Sequence, residues 1–185
     1  MSEVDSLRPV AIRAREKGSF QPGIGPHPED WVIEQCLAQL SRSRPLAYAM
    51  HAKGVRYGPG QRWKCDLCFG APPLWDWAIE AKLLRFLGDN GKPNDNMLMH
   101  ILSPYPNDRS ALTDCVKLSG SGLARQNAIL VFGYPSEEWP LEPAIEAFET
   151  LAATRVRLGP RLVADSGPLV HPVHSDGRVF GWEVF

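Results

Sequence analysis

The chain has 185 residues, 44% of them hydrophobic, with 20 Lys and Arg against 21 Asp and Glu. That length suits one packed core and is short for two full domains. A net charge of −1 supplies no global field that would draw the molecule onto nucleic acid or a membrane, so any such contact must come from a local patch.

Met1 to Arg15 scatter charge without an apolar run. No secretory signal or membrane partner is therefore expected, and the expected compartment is the cytoplasm. In that compartment the four cysteines are expected as thiols. Residues 1–26 are rich in Pro, Gly and charge and lack periodicity, which predicts an N-terminal arm or loop ahead of one domain over 27–185.

Pro28 suits a first helical turn, Glu29 and Asp30 complement its positive end, and Ile33, Cys36, Leu37 and Leu40 recur on one face, predicting a helix over about 28–41. After the Gly58-Pro59-Gly60 turn, Trp63, Cys65, Leu67 and Phe69 alternate with polar residues and predict a half-buried strand. Pro72 and Pro73 interrupt it, because proline removes ladder donors. Alternation resumes over Trp75–Leu84, with Trp77, Ile79, Ala81 and Leu83 on one face and Asp76, Ala78, Glu80 and Lys82 on the other.

Residues 88–108 are loop-heavy, with Asp89-Asn90-Gly91 as a turn, and loops of that length inside a domain are often functional. Asp108 is expected to cap a helix buried through Ala111, Leu112, Cys115 and Leu118 and stopped by Gly120 or Gly122, with Asp114 and Lys117 on its other face. Ala128–Phe132 is apolar without alternation, as in a central strand covered on both faces and parallel to a neighbour. Ile145, Phe148 and Leu151 predict a helix over about 142–153. Leu169–Val173 and Val179–Phe185 are expected to form a hairpin about Asp176-Gly177.

If the two alternating strands pair about Pro73, residues whose numbers sum to 146 face each other, placing Asp66 across from Glu80. Side chains at directly opposed positions start about 5 Å apart, close enough for two carboxylates to share one ion. Carboxylates so close repel unless a proton or cation intervenes, and oxygen-only ligands suit a hard ion such as Mg²⁺ or Mn²⁺. Asp76 shares the face of Glu80, but residues four apart on one strand are about 13 Å apart at the backbone. The same Asp, Glu and Lys would also suit a solvated strand face with an ordinary cross-strand ion pair.

At Asp66 and Glu80-Ala81-Lys82 the chain resembles the PD-(D/E)xK nuclease superfamily, in which an acidic residue on one strand is followed, after a turn, by a strand carrying Glu or Asp, any residue, then Lys. The order helix, strand pair, helix, buried strand, helix extends the resemblance over roughly 28–185. Cys65 stands where many members carry proline. The resemblance implies a three-layer α/β/α restriction-endonuclease-like core with a mixed β-sheet, and an Mg²⁺-dependent (or Mn²⁺-dependent) endonuclease acting on DNA in restriction, repair or defence. By resemblance, Asp66 and Glu80 would ligate the metal, the Ala81 carbonyl would complete the shell, and Lys82 would assist the attacking water. Glu34 would add a carboxylate from the first helix, as in some members, although a solvent-facing helical glutamate is commoner. Lys92, Arg109, Lys117 and Arg125 are the residues placed to contact phosphates. A homodimer or partner subunit would serve two-strand cleavage. The alternative is a catalytically inactive nucleic-acid-binding or protein-interaction module of the same fold.

Other signals weigh less. Cys65 and Cys68 have zinc-knuckle spacing without a second ligand pair, and residues three apart on a strand should face opposite ways, placing Cys65 in the core and Cys68 beside the site. His171 and His174 fail the same parity test and are expected to pack at the hairpin. Ser119–Gly122 is a helix stop before it is a phosphate loop. Trp63 and Trp77 fall on the apolar faces and are expected in the core before any base-stacking role.

Overall fold

The computed structural model describes residues 29–48, 50–88, 91–94, 96–166 and 173–185. The expected arm over 1–26, the Asp89-Asn90 part of the turn, His171 and most of the Leu169–Val173 strand lie outside the described residues. The helix expected near the start is α1 (Glu29–Ser43), followed by a single turn α2 (Pro45–Tyr48). Strands β1 (His51–Arg56), β2 (Lys64–Phe69) and β3 (Trp75–Leu84) come next. After the short α3 (Met99–Leu102) and a 3-10 turn at Pro106–Asp108 come α4 (Ala111–Ser121), β4 (Ala124–Gly133) and α5 (Glu142–Ala152). Strands β5 (Leu162–Ser166) and β6 (Gly177–Val184) follow.

The six strands form one mixed sheet in the order β1-β2-β3-β4-β6-β5. As the apolar sequence of β4 predicts, it runs parallel to β3, and the other neighbours are antiparallel. No helix among the described residues is long and apolar enough to cross a membrane.

Strand parity decides what each face of the sheet meets. Ala81 of β3 and Phe132 of β4, which is paired with Leu83, pack with Ile33 and Leu37 of α1. Ala78 and Leu84 of β3, with Ile129 and Val131 of β4, pack instead with Leu112, Cys115 and Leu118 of α4 and Ile145 and Phe148 of α5. Burying each such side chain contributes roughly 1.5–3 kcal/mol, which holds helices against both faces. The fit is tight where β4 ends. A Cβ on Gly133 would sit 2.4 Å from the Leu84 carbonyl oxygen and 3.0 Å from Leu141. Gly133→Ala is therefore expected to lower unfolding free energy by about 1–3 kcal/mol, measured by urea denaturation; an unchanged midpoint would contradict this packing.

Strands β2 and β3 pair as Leu67↔Ile79, Cys68↔Ala78 and Phe69↔Trp77, each pair summing to 146, the register expected about Pro73. Regular pairing stops at Leu67. There the alternation breaks: Cys65 and Cys68, expected on opposite faces, are both fully buried in the α4 and α5 cluster. The Cys65 thiol donates to the carbonyls of Leu67 (3.5 Å) and Ile79 (3.3 Å). On the other side of β2 the β1 register is even, with Lys53↔Leu67 and Val55↔Cys65. The residue between them, facing Asp66, is Gly54 with a left-handed φ of 63°. Lys64 Cδ is the nearest atom to a Cβ there, at 3.6 Å, so conformation and not space requires glycine.

Other expectations need correction. Trp63 is 41% exposed, not core, because it precedes β2 and the break at Asp66 removes it from the alternation. The cap of α4 is Ser110, whose Oγ accepts from the Thr113 amide at 3.1 Å, and not Asp108. Asp108 instead accepts a hydrogen bond from Ser103, and Gly122 ends α4 in a left-handed conformation. Asp176-Gly177 is not a two-residue hairpin turn, since Gly177 already pairs with Ser166 at the start of β6. β6 pairs with Leu162–Ser166, a strand the apolar pattern did not mark. His174 is buried and stacks on Tyr134 with ring centroids 4.7 Å apart.

Candidate active site

Glu80 and Lys82 occupy even positions of β3 and therefore face α4, where both are buried, at 3% and 7% exposure. This is no solvated strand face. Asp66 reaches them through the break in β2. In a continued ladder the Ala81 amide would pair with the Cys65 carbonyl, and it donates instead to Asp66 Oδ2 at 2.9 Å. A charge-assisted bond of this kind fixes the carboxylate beside β3. The Asp66 and Glu80 carboxyls line one cavity, and Tyr57, just after β1, donates its hydroxyl to Glu80 Oε1.

Burial and three neighbouring groups act on Glu80 electrostatically. Burial first, then the negative charge of Asp114, the hydrogen bond and charge of Asp66, and Cys65 push its carboxyl up to about 10. Burial and the Glu80 charge likewise push the Tyr57 hydroxyl up, so it stays a donor. In the metal-free protein Glu80 is thus a neutral acid sharing its proton with an adjacent carboxylate, as paired carboxyls do.

The sign of the pH dependence follows. A carboxyl with a raised native pKa contributes stability that is fully present below its unfolded value near 4.5 and lost as pH rises toward about 10. With chelator present, Glu80 alone is expected to lower unfolding free energy by about 1.4 kcal/mol per pH unit across that window. Urea denaturation from pH 6 to 9 checks it against Glu80→Gln, which should lack this slope; parallel profiles for the two proteins would refute the assignment.

Lys82 is held from two sides. Its Nζ lies 2.8 Å from Asp114 Oδ2 and donates to the Ala81 carbonyl at 3.2 Å. Asp114 Oδ1 in turn lies 2.5 Å from Lys117 Nζ one helical turn on. The chain Lys117, Asp114, Lys82 thus fixes an ammonium beside the Glu80 and Asp66 carboxyls. Asp114 and Lys117 share a helix face visible in the sequence, but that Asp114 is almost fully buried follows only from packing of α4 on β3.

These groups line a cavity of about 400 Å³, together with Arg62, Trp63, Lys64, His100, Asp108 and Arg109. Of the four cations expected to contact phosphates, Arg109 and Lys117 line it, while Lys92 and Arg125 do not. Arg125 lies 3.7 Å from Asp76 at the exposed start of β3, which places both outside the cavity. Glu34 is also elsewhere: exposed on α1, it accepts from Lys53 Nζ at 2.9 Å. Tyr57, Arg62, Trp63, Lys64 and His100 were not singled out as site residues from the sequence. Tyr57 precedes the Gly58-Pro59-Gly60 turn and is buried behind Glu80, while Arg62, Trp63 and Lys64 follow the turn and line the cavity from its exposed side.

The donor set fits a hard divalent ion. Asp66, Glu80 and the Ala81 carbonyl present only oxygen. Among the described residues no group of three or more His, Cys, Asp or Glu side chains could hold an ion, and magnesium commonly takes one or two carboxylates and completes its shell with water and substrate phosphate. None of the four cysteines forms a disulfide. No family model matches the chain, and neither does any curated protein or solved structure with which it was compared.

Proposed function

We propose that the protein is a metal-dependent nuclease of the PD-(D/E)xK kind, hydrolysing phosphodiester bonds in DNA. The carrying observation is that Asp66, anchored on the Ala81 amide where β2 parts from β3, lines one cavity with Glu80 and the Lys82 ammonium. The order of helix, three antiparallel strands, helix and parallel strand, with a helix against each face of the sheet, supports a three-layer α/β/α restriction-endonuclease-like core.

Asp66 and Glu80, with the Ala81 carbonyl, would hold Mg²⁺ or Mn²⁺. Such an ion supplies polarisation of a phosphate oxygen and a lowered pKa for a bound water. Lys82, immobilised by Asp114, would orient the attacking water and balance charge developing on the phosphate. Tyr57 would keep Glu80 in place by its hydroxyl. Glu80 must give up its proton to ligate, so metal affinity is expected to rise with pH.

The test incubates the protein with supercoiled plasmid and with single-stranded DNA, each with Mg²⁺, Mn²⁺ or chelator. Cleavage that requires the metal and is lost in Glu80→Gln supports the reading. A folded protein that cuts neither substrate with either metal is instead a non-catalytic module of this fold. Whether it acts as a homodimer or with a partner subunit bears on duplex cleavage, and sedimentation of the same preparation with and without DNA addresses it.

A further inference from the structure

The entrance of the cavity carries an aromatic ring and unpaired cations that hydrolysis alone does not explain. Trp63, at 41% exposure, lines the cavity that contains Asp66 and Glu80. Lys117 Nζ lies over its ring, 5.2 Å from the centroid, and that ammonium is itself anchored by Asp114. The backbone is fixed too, because the Tyr57 amide donates to the Trp63 carbonyl at 3.4 Å. The ring is therefore mounted on the same segment that holds Glu80.

Arg62, Lys64 and Arg109 surround it, all exposed and all lining the cavity. Among the described residues none of the three makes an ion pair. Arg109 adopts a left-handed backbone, φ 50° and ψ 43°, an arrangement unusual for a residue with a side chain and often found at functional sites. The loop is secured by Ser110 Oγ, which donates to the Ser103 carbonyl at 2.6 Å.

We infer that this entrance binds an unpaired stretch of DNA, one base stacking on Trp63 while Arg62, Lys64 and Arg109 hold the phosphates that flank the bond to be cut. The inference rests on the nuclease reading and narrows its substrate. A flat ring bordered by cations suits single strands, because every base offers a π-face and every linkage a charge. In a duplex the base faces are covered by their neighbours, so a ring inside a cavity of about 400 Å³ reaches only a base already out of the stack.

The test measures binding of a fluorescein-labelled oligothymidylate and of a duplex of equal length, in chelator, by fluorescence anisotropy. The wild type is expected to favour the single strand. Trp63→Ala and Trp63→Leu are expected to weaken that binding about tenfold or more while leaving duplex binding little changed, and Trp63→Phe to retain most of it. Arg109→Ala and Lys64→Ala should each reduce the salt dependence by about one phosphate contact. Single-strand affinity unchanged in folded Trp63→Leu, or a wild-type preference for duplex, would overturn the inference. Mg²⁺-dependent cleavage of the same oligonucleotide by wild type and Glu80→Gln is followed in parallel. Glu80-dependent cleavage without Trp63-dependent binding refutes the stacking alone, and Trp63-dependent binding without cleavage refutes the nuclease reading alone.

Discussion

Glu80→Gln is expected to reduce Mg²⁺-dependent DNA cleavage by about a thousandfold or more while leaving the fold intact. The size follows from the proposed role of Glu80, since losing a charged ligand would remove much of a metal site's charge stabilisation. The intact fold follows from the state of the native residue. Glu80 is a neutral acid in the metal-free protein, and glutamine copies that shape, with an oxygen to accept from Tyr57 and an amide to donate to Asp66. Melting in chelator should therefore be unchanged or higher above neutral pH, whereas the stabilisation that Mg²⁺ gives the wild type should vanish. Asp66→Asn is expected to lose cleavage to a similar extent and still accept from the Ala81 amide. On the proposed reading the two would hold one ion, and the double variant is then expected to be little worse than either single one. Wild-type cleavage by purified Glu80→Gln would assign the activity to another site or a contaminant.

The largest stability effect is expected at Asp114. Its carboxylate is 4% exposed and bridges Lys82 and Lys117, so Asp114→Ala takes a carboxylate partner from a buried ammonium. Breaking one partner of a buried pair costs about 3–5 kcal/mol. Lys82→Met should cost less, since Lys117 still neutralises Asp114, yet it should impair cleavage by removing the ammonium beside the Ala81 carbonyl. Replacing both, as Lys82→Met with Asp114→Ala, should recover part of the stability and none of the cleavage, because the buried Lys82 charge has gone and only the less buried Lys117 has lost its partner. Urea denaturation and cleavage of the four proteins test the cycle. A loss below about 1 kcal/mol in Asp114→Ala would show that the bridge does not organise the site.

What was legible beforehand was local and periodic. The stripes of α1, α4 and α5 and the register of β2 on β3 follow from spacings that bury one face, and a slip of one residue would have turned each apolar side chain outward. The convergence of Asp66 and Glu80 came from the same register. Its detail did not, because pairing stops at Leu67 and Asp66 occupies the hydrogen-bonding position of a carbonyl. That break also explains why Cys65 joins Cys68 and why Trp63 lies at an entrance.

Strand β1 carries little periodic signal because Lys53, Gly54 and Arg56 dilute its apolar pattern. The partner of β6 was misplaced because Asp176-Gly177 is a strong turn signal by itself, yet the Ser166↔Gly177 pair puts the whole intervening connection before it. Asp108 and Ser110 are both good caps, and only the Ser103 contacts distinguish their roles. The burial of Asp114 required knowing that one lysine arrives from β3.

Gly54 faces Asp66 across the β1 and β2 register with its backbone in the left-handed region. Chirality, and not bulk, is the constraint at that point, and L-amino acids resist it by about 1–2 kcal/mol. A semisynthetic chain with D-alanine at position 54 should consequently keep the Asp66 carboxylate aimed at β3. Its L-alanine counterpart would favour an ordinary pleat, in which the amide of Ala81 returns to Cys65 and the aspartate loses its anchor.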